Sequence, residues 1–248
     1  MLTVTWLSAT NSDYSFRQDN YRLEIAFILT ALISLGWLMS VVVGMVFDLF
    51  PITHDSDAFT HTHSNQYLLI NIIGQILIMG GIFSNNLTLM FEMVTVGLVL
   101  LTWGLISIAW PSWKLHIESK QKEINCGNIA LIPALLIPVS SLVVLGCWIF
   151  RQETGLLEFG FSFNVVLQMG TIALSLILAH FNRRLSWGLV KFSDFRPVVA
   201  IYLVLALVHC FSVIMYERGQ VTEDLANISQ SLPFFWAFIS TRPVKMIR

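Results

Sequence analysis

Apolar residues fall along this chain in long unbroken blocks, without the one-sided stripe of a water-soluble helix. A helix needs roughly 20 mainly apolar residues to cross the hydrocarbon layer of a bilayer. Six blocks approach or exceed that length, at about residues 25–50, 67–83, 87–110, 129–150, 161–181 and 197–216. A seventh stretch, 225–241, reads "LANISQSLPFFWAFIST" and is polar in its first half. Its Phe234, Phe235, Trp236 and Phe238 suit the aromatic belt of a membrane surface. It is expected as an interfacial or partly inserted helix, with a seventh crossing as the alternative. No stretch shows the alternation of a membrane barrel. Backbone amides in lipid must pair within their own segment, which a helix achieves. The expected fold is all-α: a single-domain, polytopic bundle of six transmembrane helices plus that C-terminal helix. Pro133 and Pro138 should kink the fourth crossing.

Composition agrees with the pattern. Of 248 residues, 56% are hydrophobic and 12% charged, and the mean hydropathy is +0.73. A soluble domain carries about 25% charged residues, so the expected partner of this surface is a lipid bilayer. The net charge of −1 implies no nucleic-acid partner. Cys126, Cys147 and Cys210 are odd in number and lack metal-ligand spacing, which argues against a disulfide framework. The N-terminus lacks the basic-then-apolar order of a cleavable signal, so the first crossing should direct insertion. A bacterial inner membrane or an organellar membrane is expected.

Charge also addresses orientation. Let side A hold the N-terminal tail and even-numbered loops, with Arg17, Arg22, Arg151 and Arg218. Side B then holds Lys114, Lys120, Lys122, Arg183, Arg184, Lys191 and Arg196, seven against four, and should be cytoplasmic. Arg242, Lys245 and Arg248 join side B if a seventh crossing exists and side A otherwise. Two glycosylation sequons, Asn86-Leu87-Thr88 and Asn227-Ile228-Ser229, fall on side A and carry little weight.

The histidines sort by topology. His54, His61 and His63 belong to the first loop or its junction with the second crossing, His116 to the third loop and His180 to the end of the fifth crossing. All five reach side B. His61, His63 and His180, with His116 as a fourth candidate, make a candidate metal or heme cluster, since imidazole nitrogens suit copper, zinc and heme iron. His209 lies about 18 Å deeper along its own helix and is a poor co-ligand. The competing reading is a set of solvated interfacial histidines.

Other polar residues sit inside the blocks. Asn71 and Gln75 are four apart and share a helix face with Ser64. Interhelical hydrogen bonding is the favoured reading. The alternative is a polar path continued by Gln168, Glu92 and His209. Glu24 and Glu92 read as interfacial carboxylates. Gly36, Ser40 and Gly44 recur every fourth residue and should form a close packing face. The last crossing has no lysine for a retinal Schiff base, and there is no His-x-x-x-His pair, phosphate loop, dinucleotide fingerprint or Cys-x-x-Cys-His.

Gly36 and Gly44 on the first helix, followed by His61, His63 and Asn65 at the opening of the second, resemble part of the heme–copper oxidase catalytic subunits. That resemblance covers about a quarter of the chain and implies His61 or His63 as an axial heme ligand. The chain departs from the family in lacking a His-His pair for copper and half of the helices. The leading expectation is thus an integral membrane subunit with a b-type heme or copper site at one surface, within a redox or copper-dependent complex with other membrane subunits. Two others compete: a non-catalytic structural or assembly subunit, and a small transporter.

Overall fold

The structure is a computed structural model that describes residues 14–44, 61–84, 86–118, 127–151, 155–174 and 195–240. Side chains of residues 14–21, 61–63, 112–137, 195–197 and 240 fall outside that description. Every described element is helical.

The first helix, α1 (Tyr14–Ala31), passes without a break into a π-helical segment, Leu32–Leu38, and continues to Gly44. Next come α2 (His61–Ile82), α3 (Leu87–Glu118) and α4 (Gly127–Ile149). The fifth rod starts as α5 (Leu156–Ser162), becomes a second π segment, Phe163–Met169, and continues to Leu174. The chain closes with α6 (Phe195–Glu217) and α7 (Glu223–Ser240). Five helices are long and apolar enough to cross a membrane: Arg22–Gly44, Ser64–Ile82, Leu87–Pro111, Leu156–Leu174 and Val198–Glu217. This is the pattern of a multi-pass membrane protein. The expected fourth crossing coincides with α4, where the apolar helix counted among described residues is Pro138–Ile149. Pro133 and Pro138 both fall inside this one continuous helix.

α2 and α3 pack as a tight antiparallel hairpin, with only a few residues between them. Asn86 begins α3: its Oδ1 accepts the Thr88 and Leu89 amides at 2.9 and 3.3 Å, satisfying two of the orphan donors of a helix start. The first sequon is therefore a helix cap. Glycines let the two helices meet. A Cβ on Gly97 would lie 2.8 Å from the Gly74 carbonyl oxygen and 2.5 Å from Ile78 Cγ1. Without a hydrophobic drive between helices in lipid, such close backbone packing supplies the association.

Trp148 anchors one end of the bundle. Fully buried, it stacks on Phe27 and Phe91, with centroids 6.1 and 5.9 Å away, and donates Nε1–H to Thr95 Oγ1 at 3.0 Å. This unites α1, α3 and α4.

α6 ends in a Schellman turn. Gly219 takes φ +67°, its amide reaches the Tyr216 carbonyl and the Gln220 amide reaches the Met215 carbonyl. The chain then returns as α7, antiparallel to α6. His209 meets Ser229, and Trp236 Nε1 donates to the Val198 carbonyl at 3.0 Å. From Val198 to His209 is about 16 Å of helix axis, so α7 accompanies α6 through most of its length. The apolar Leu225, Ile228, Leu232, Phe235 and Phe238 face outward from α7. In the second sequon, the Ser229 hydroxyl is buried and committed to the Ala226 carbonyl at 2.6 Å.

Candidate functional site

The two π segments face each other. Ser34, on the first, donates its hydroxyl to Asn164 Oδ1 on the second at 2.5 Å. Gln168 Oε1 lies 3.4 Å from the same Ser34 oxygen, and the Ala31 carbonyl oxygen 3.3 Å from it. The amide nitrogens point away. Asn164 Nδ2 donates to Thr30 Oγ1 at 3.2 Å, and Gln168 Nε2 to Ser140 Oγ of α4 at 2.8 Å. Thr30 spends its own hydrogen on the Phe27 carbonyl at 2.9 Å, so it accepts from Asn164 and fixes which way that amide is turned. Ser34, Asn164, Gln168 and Ser140 are all buried. The cluster contains no ionisable group. Ser34 lies about 15 Å along the helix from Glu24, near half the thickness of a hydrocarbon core of about 30 Å.

The second π segment has a visible cause. In an α-helix the Gly170 amide would take the Val166 carbonyl, four residues back. Here it reaches Leu167 and Val165 instead, and the Tyr202 hydroxyl of α6 donates to Val166 at 2.5 Å. A Cβ on Gly170 would lie 1.7 Å from the Tyr202 hydroxyl oxygen, so only glycine admits the phenol. Single π turns inserted in α-helices concentrate at functional sites. Two in contact, joined by polar side chains, make this the candidate site.

Asn71 and Gln75 form a second, separate network. Gln75 Nε2 donates to Asn71 Oδ1, Asn71 Nδ2 donates to Tyr67 Oη at 3.1 Å, and Ser40 Oγ reaches Asn71 Oδ1 at 3.4 Å. A Cβ on Gly36 would meet Gln75 Cδ at 3.0 Å. Gly36 and Ser40 thus pack on α2 as expected, while a Cβ on Gly44 would meet nothing within 4 Å. Glu92 is exposed. Glu24 takes an ion pair with Arg151.

His209 is a third, isolated position. His209 Nδ1 lies 3.0 Å from Ser229 Oγ, whose hydroxyl also reaches the Ala226 carbonyl at 2.6 Å. Among the described residues no hydrogen bond joins Gln168, the Asn71–Gln75 pair and His209 to one another, and they stand as three separate clusters.

The histidine set divides differently. His61 and His63 lie in the first turn of α2 and His116 near the end of α3, which antiparallel packing brings to the same end of the hairpin. Their side chains, and all of His54 and His180, lie outside the described residues. Among the described residues no group of three or more His, Cys, Asp or Glu side chains gathers for a metal. The one described imidazole is His209, engaged at Nδ1, so these residues do not supply a heme ligand pair. The side chains expected to hold a heme or copper ion, those of His61, His63, His116 and His180, all lie outside the described residues.

Comparison with family models, curated proteins and solved structures gave no match. The function must therefore be read from the site.

Proposed function

We propose that this protein is a small membrane transporter whose working centre is the neutral polar cluster between the two π segments. One observation carries the reading: two helices depart from α geometry at the same depth, facing each other, and turn Ser34, Asn164 and Gln168 inward. Interrupted helices that aim polar groups at a midplane site are the recurring construction of secondary carriers. The absence of an ionised side chain from the cluster suits a ligand with little or no charge.

Seven crossings complete this reading, with α4 as the fourth and α7 as the last. Antiparallel pairing of α7 with α6 supports it. Arg242, Lys245 and Arg248 then join side B, ten basic residues against four, which makes side B cytoplasmic.

A carrier must open its centre to each face in turn. In a background without Cys126, Cys147 and Cys210, a Ser140→Cys variant in sealed vesicles is treated with a membrane-impermeant maleimide from either side. Labelling from both sides is expected. Labelling from neither side would remove the transporter reading and favour a structural subunit.

The placement of His61, His63 and His116 at one hairpin end favours a second reading, a redox subunit holding heme or copper there. A visible spectrum with a Soret band that a His63→Ala variant loses would establish it. A colourless, metal-free protein would end it.

A further inference from the structure

We infer that the oxygens gathered around Ser34 form a binding site for a monovalent alkali cation such as Na⁺. The inference rests on the polar cluster being a binding centre, and extends that reading by naming the ligand.

The argument begins with hydrogen counting. The Ser34 hydroxyl has one hydrogen, and three oxygens surround it: Asn164 Oδ1 at 2.5 Å, the Ala31 carbonyl at 3.3 Å and Gln168 Oε1 at 3.4 Å. One hydrogen cannot fully serve both amide oxygens. The opposite ends of both amides are held by Thr30 and Ser140, so neither can turn its nitrogen inward without giving up a bond. The result is two buried amide oxygens beside one hydroxyl hydrogen, with the Ala31 carbonyl close by, in an apolar bundle where an under-supplied oxygen dipole is costly.

A second observation points the same way. Thr171 stands seven residues after Asn164 and three after Gln168. Among the described residues, its buried Oγ1 has no hydrogen-bond partner. It is a buried hydroxyl on the same rod, one turn beyond Gln168, with its hydrogen-bonding capacity unspent.

The donor set selects the ion. Hydroxyl, amide and carbonyl oxygens are hard ligands, which disfavour soft metals. No carboxylate is present to balance a double charge, and burying charge without a partner is expensive. A divalent ion such as Ca²⁺ normally brings carboxylates with it. A single positive charge on neutral oxygens meets these limits. On binding, Ser34 exchanges its hydrogen bond to Asn164 for a shared role as ligand.

The test uses full-length protein in lipid nanodiscs, at constant ionic strength, with choline chloride exchanged for NaCl or KCl. Thermal unfolding is followed by tryptophan fluorescence. A saturable, alkali-specific rise in Tm is expected, as for any ligand bound only by the folded state. Ser34→Ala should weaken apparent affinity at least ten-fold, while Ser40→Ala, in the separate α2 network, should not. Equilibrium binding of ²²Na⁺ to the unaltered protein provides a reading that needs no variant. No saturable ²²Na⁺ binding, or an unchanged affinity in folded Ser34→Ala, overturns the cation site. Two-sided labelling at Ser140→Cys combined with no Na⁺ binding would reject the cation while leaving the transporter.

Discussion

Arg151 donates Nε–H to Glu24 at 3.0 Å, joining the end of α4 to the start of the first crossing. The guanidinium also lies over two rings, 4.2 Å from the Phe91 centroid and 4.9 Å from that of Trp148. A planar cation can do both at once, and an ammonium cannot. Both side chains are largely withdrawn from solvent, at 17% and 20% exposure. Removing one partner with Glu24→Gln should cost about 1–3 kcal/mol. Arg151→Lys should cost a comparable amount through the lost stacking. Chemical denaturation in detergent, with the double variant closing the cycle, checks both. Additive single effects would show that the pair is not coupled.

The α2–α3 seam should reject even a methyl group. Gly97→Ala would press a Cβ against the Gly74 backbone and Ile78, and overpacking of this kind costs about 1–3 kcal/mol. A Cβ at Gly146 would meet nothing within 4 Å, so Gly146→Ala should be neutral or stabilising by up to about 1 kcal/mol. Thermal melts of the two variants beside the parent protein make the comparison. Equal melting temperatures would contradict the seam.

Tyr202→Phe should release the Val166 carbonyl and remove the cause of the second π segment. A cost of about 1–3 kcal/mol is expected from the unpaired carbonyl unless the rod rewinds to α geometry. Rewinding would displace Asn164 and Gln168 together, so faster amide exchange around residues 163–169 should accompany the loss of stability. A variant as stable and as protected as the parent would show that the phenol does not hold the segment.

Ser229→Ala should loosen α7 from α6 by about 1 kcal/mol, the scale of an interhelical bond in a membrane. His209→Ala should match it, and the double variant should add little to either, because both act on one bond. Guanidine-free thermal scans in nanodiscs suffice. A full second increment in the double variant would separate the two residues.

Much of the architecture was legible because lipid imposes a length rule. The second, third and sixth blocks match the crossing segments Ser64–Ile82, Leu87–Pro111 and Val198–Glu217 within a few residues. The pairing of Asn71 with Gln75 was legible from helical spacing alone. Two kinds of information were not. Nothing in "LISLGWL" or "FNVVLQM" announces a π segment, since its cause at Val166 is a tyrosine more than thirty residues away. Ser34, Ser140 and Asn164 were passed over because single hydroxyls are common in membrane helices and often bond their own backbone. Only Gln168 of this cluster stood out in the sequence. The C-terminal helix carries a contact its sequence does not announce: Ser229, in its polar half, meets His209 inside the protein.

The π segment at Leu32–Leu38 also bears on how the first rod is steered. Each residue of an α-helix advances the direction of its side chains by about 100°, so one extra residue within a wide turn re-phases everything beyond it. Thr30 and Ser34 face the fifth rod, while Gly36 and Ser40, within and beyond the wide turn, face α2. Deleting one residue there would swing the two halves out of alignment, and one contact face could be kept only by surrendering the other. The wide turn works as a splice between two shorter helices, each of which keeps its own bearing.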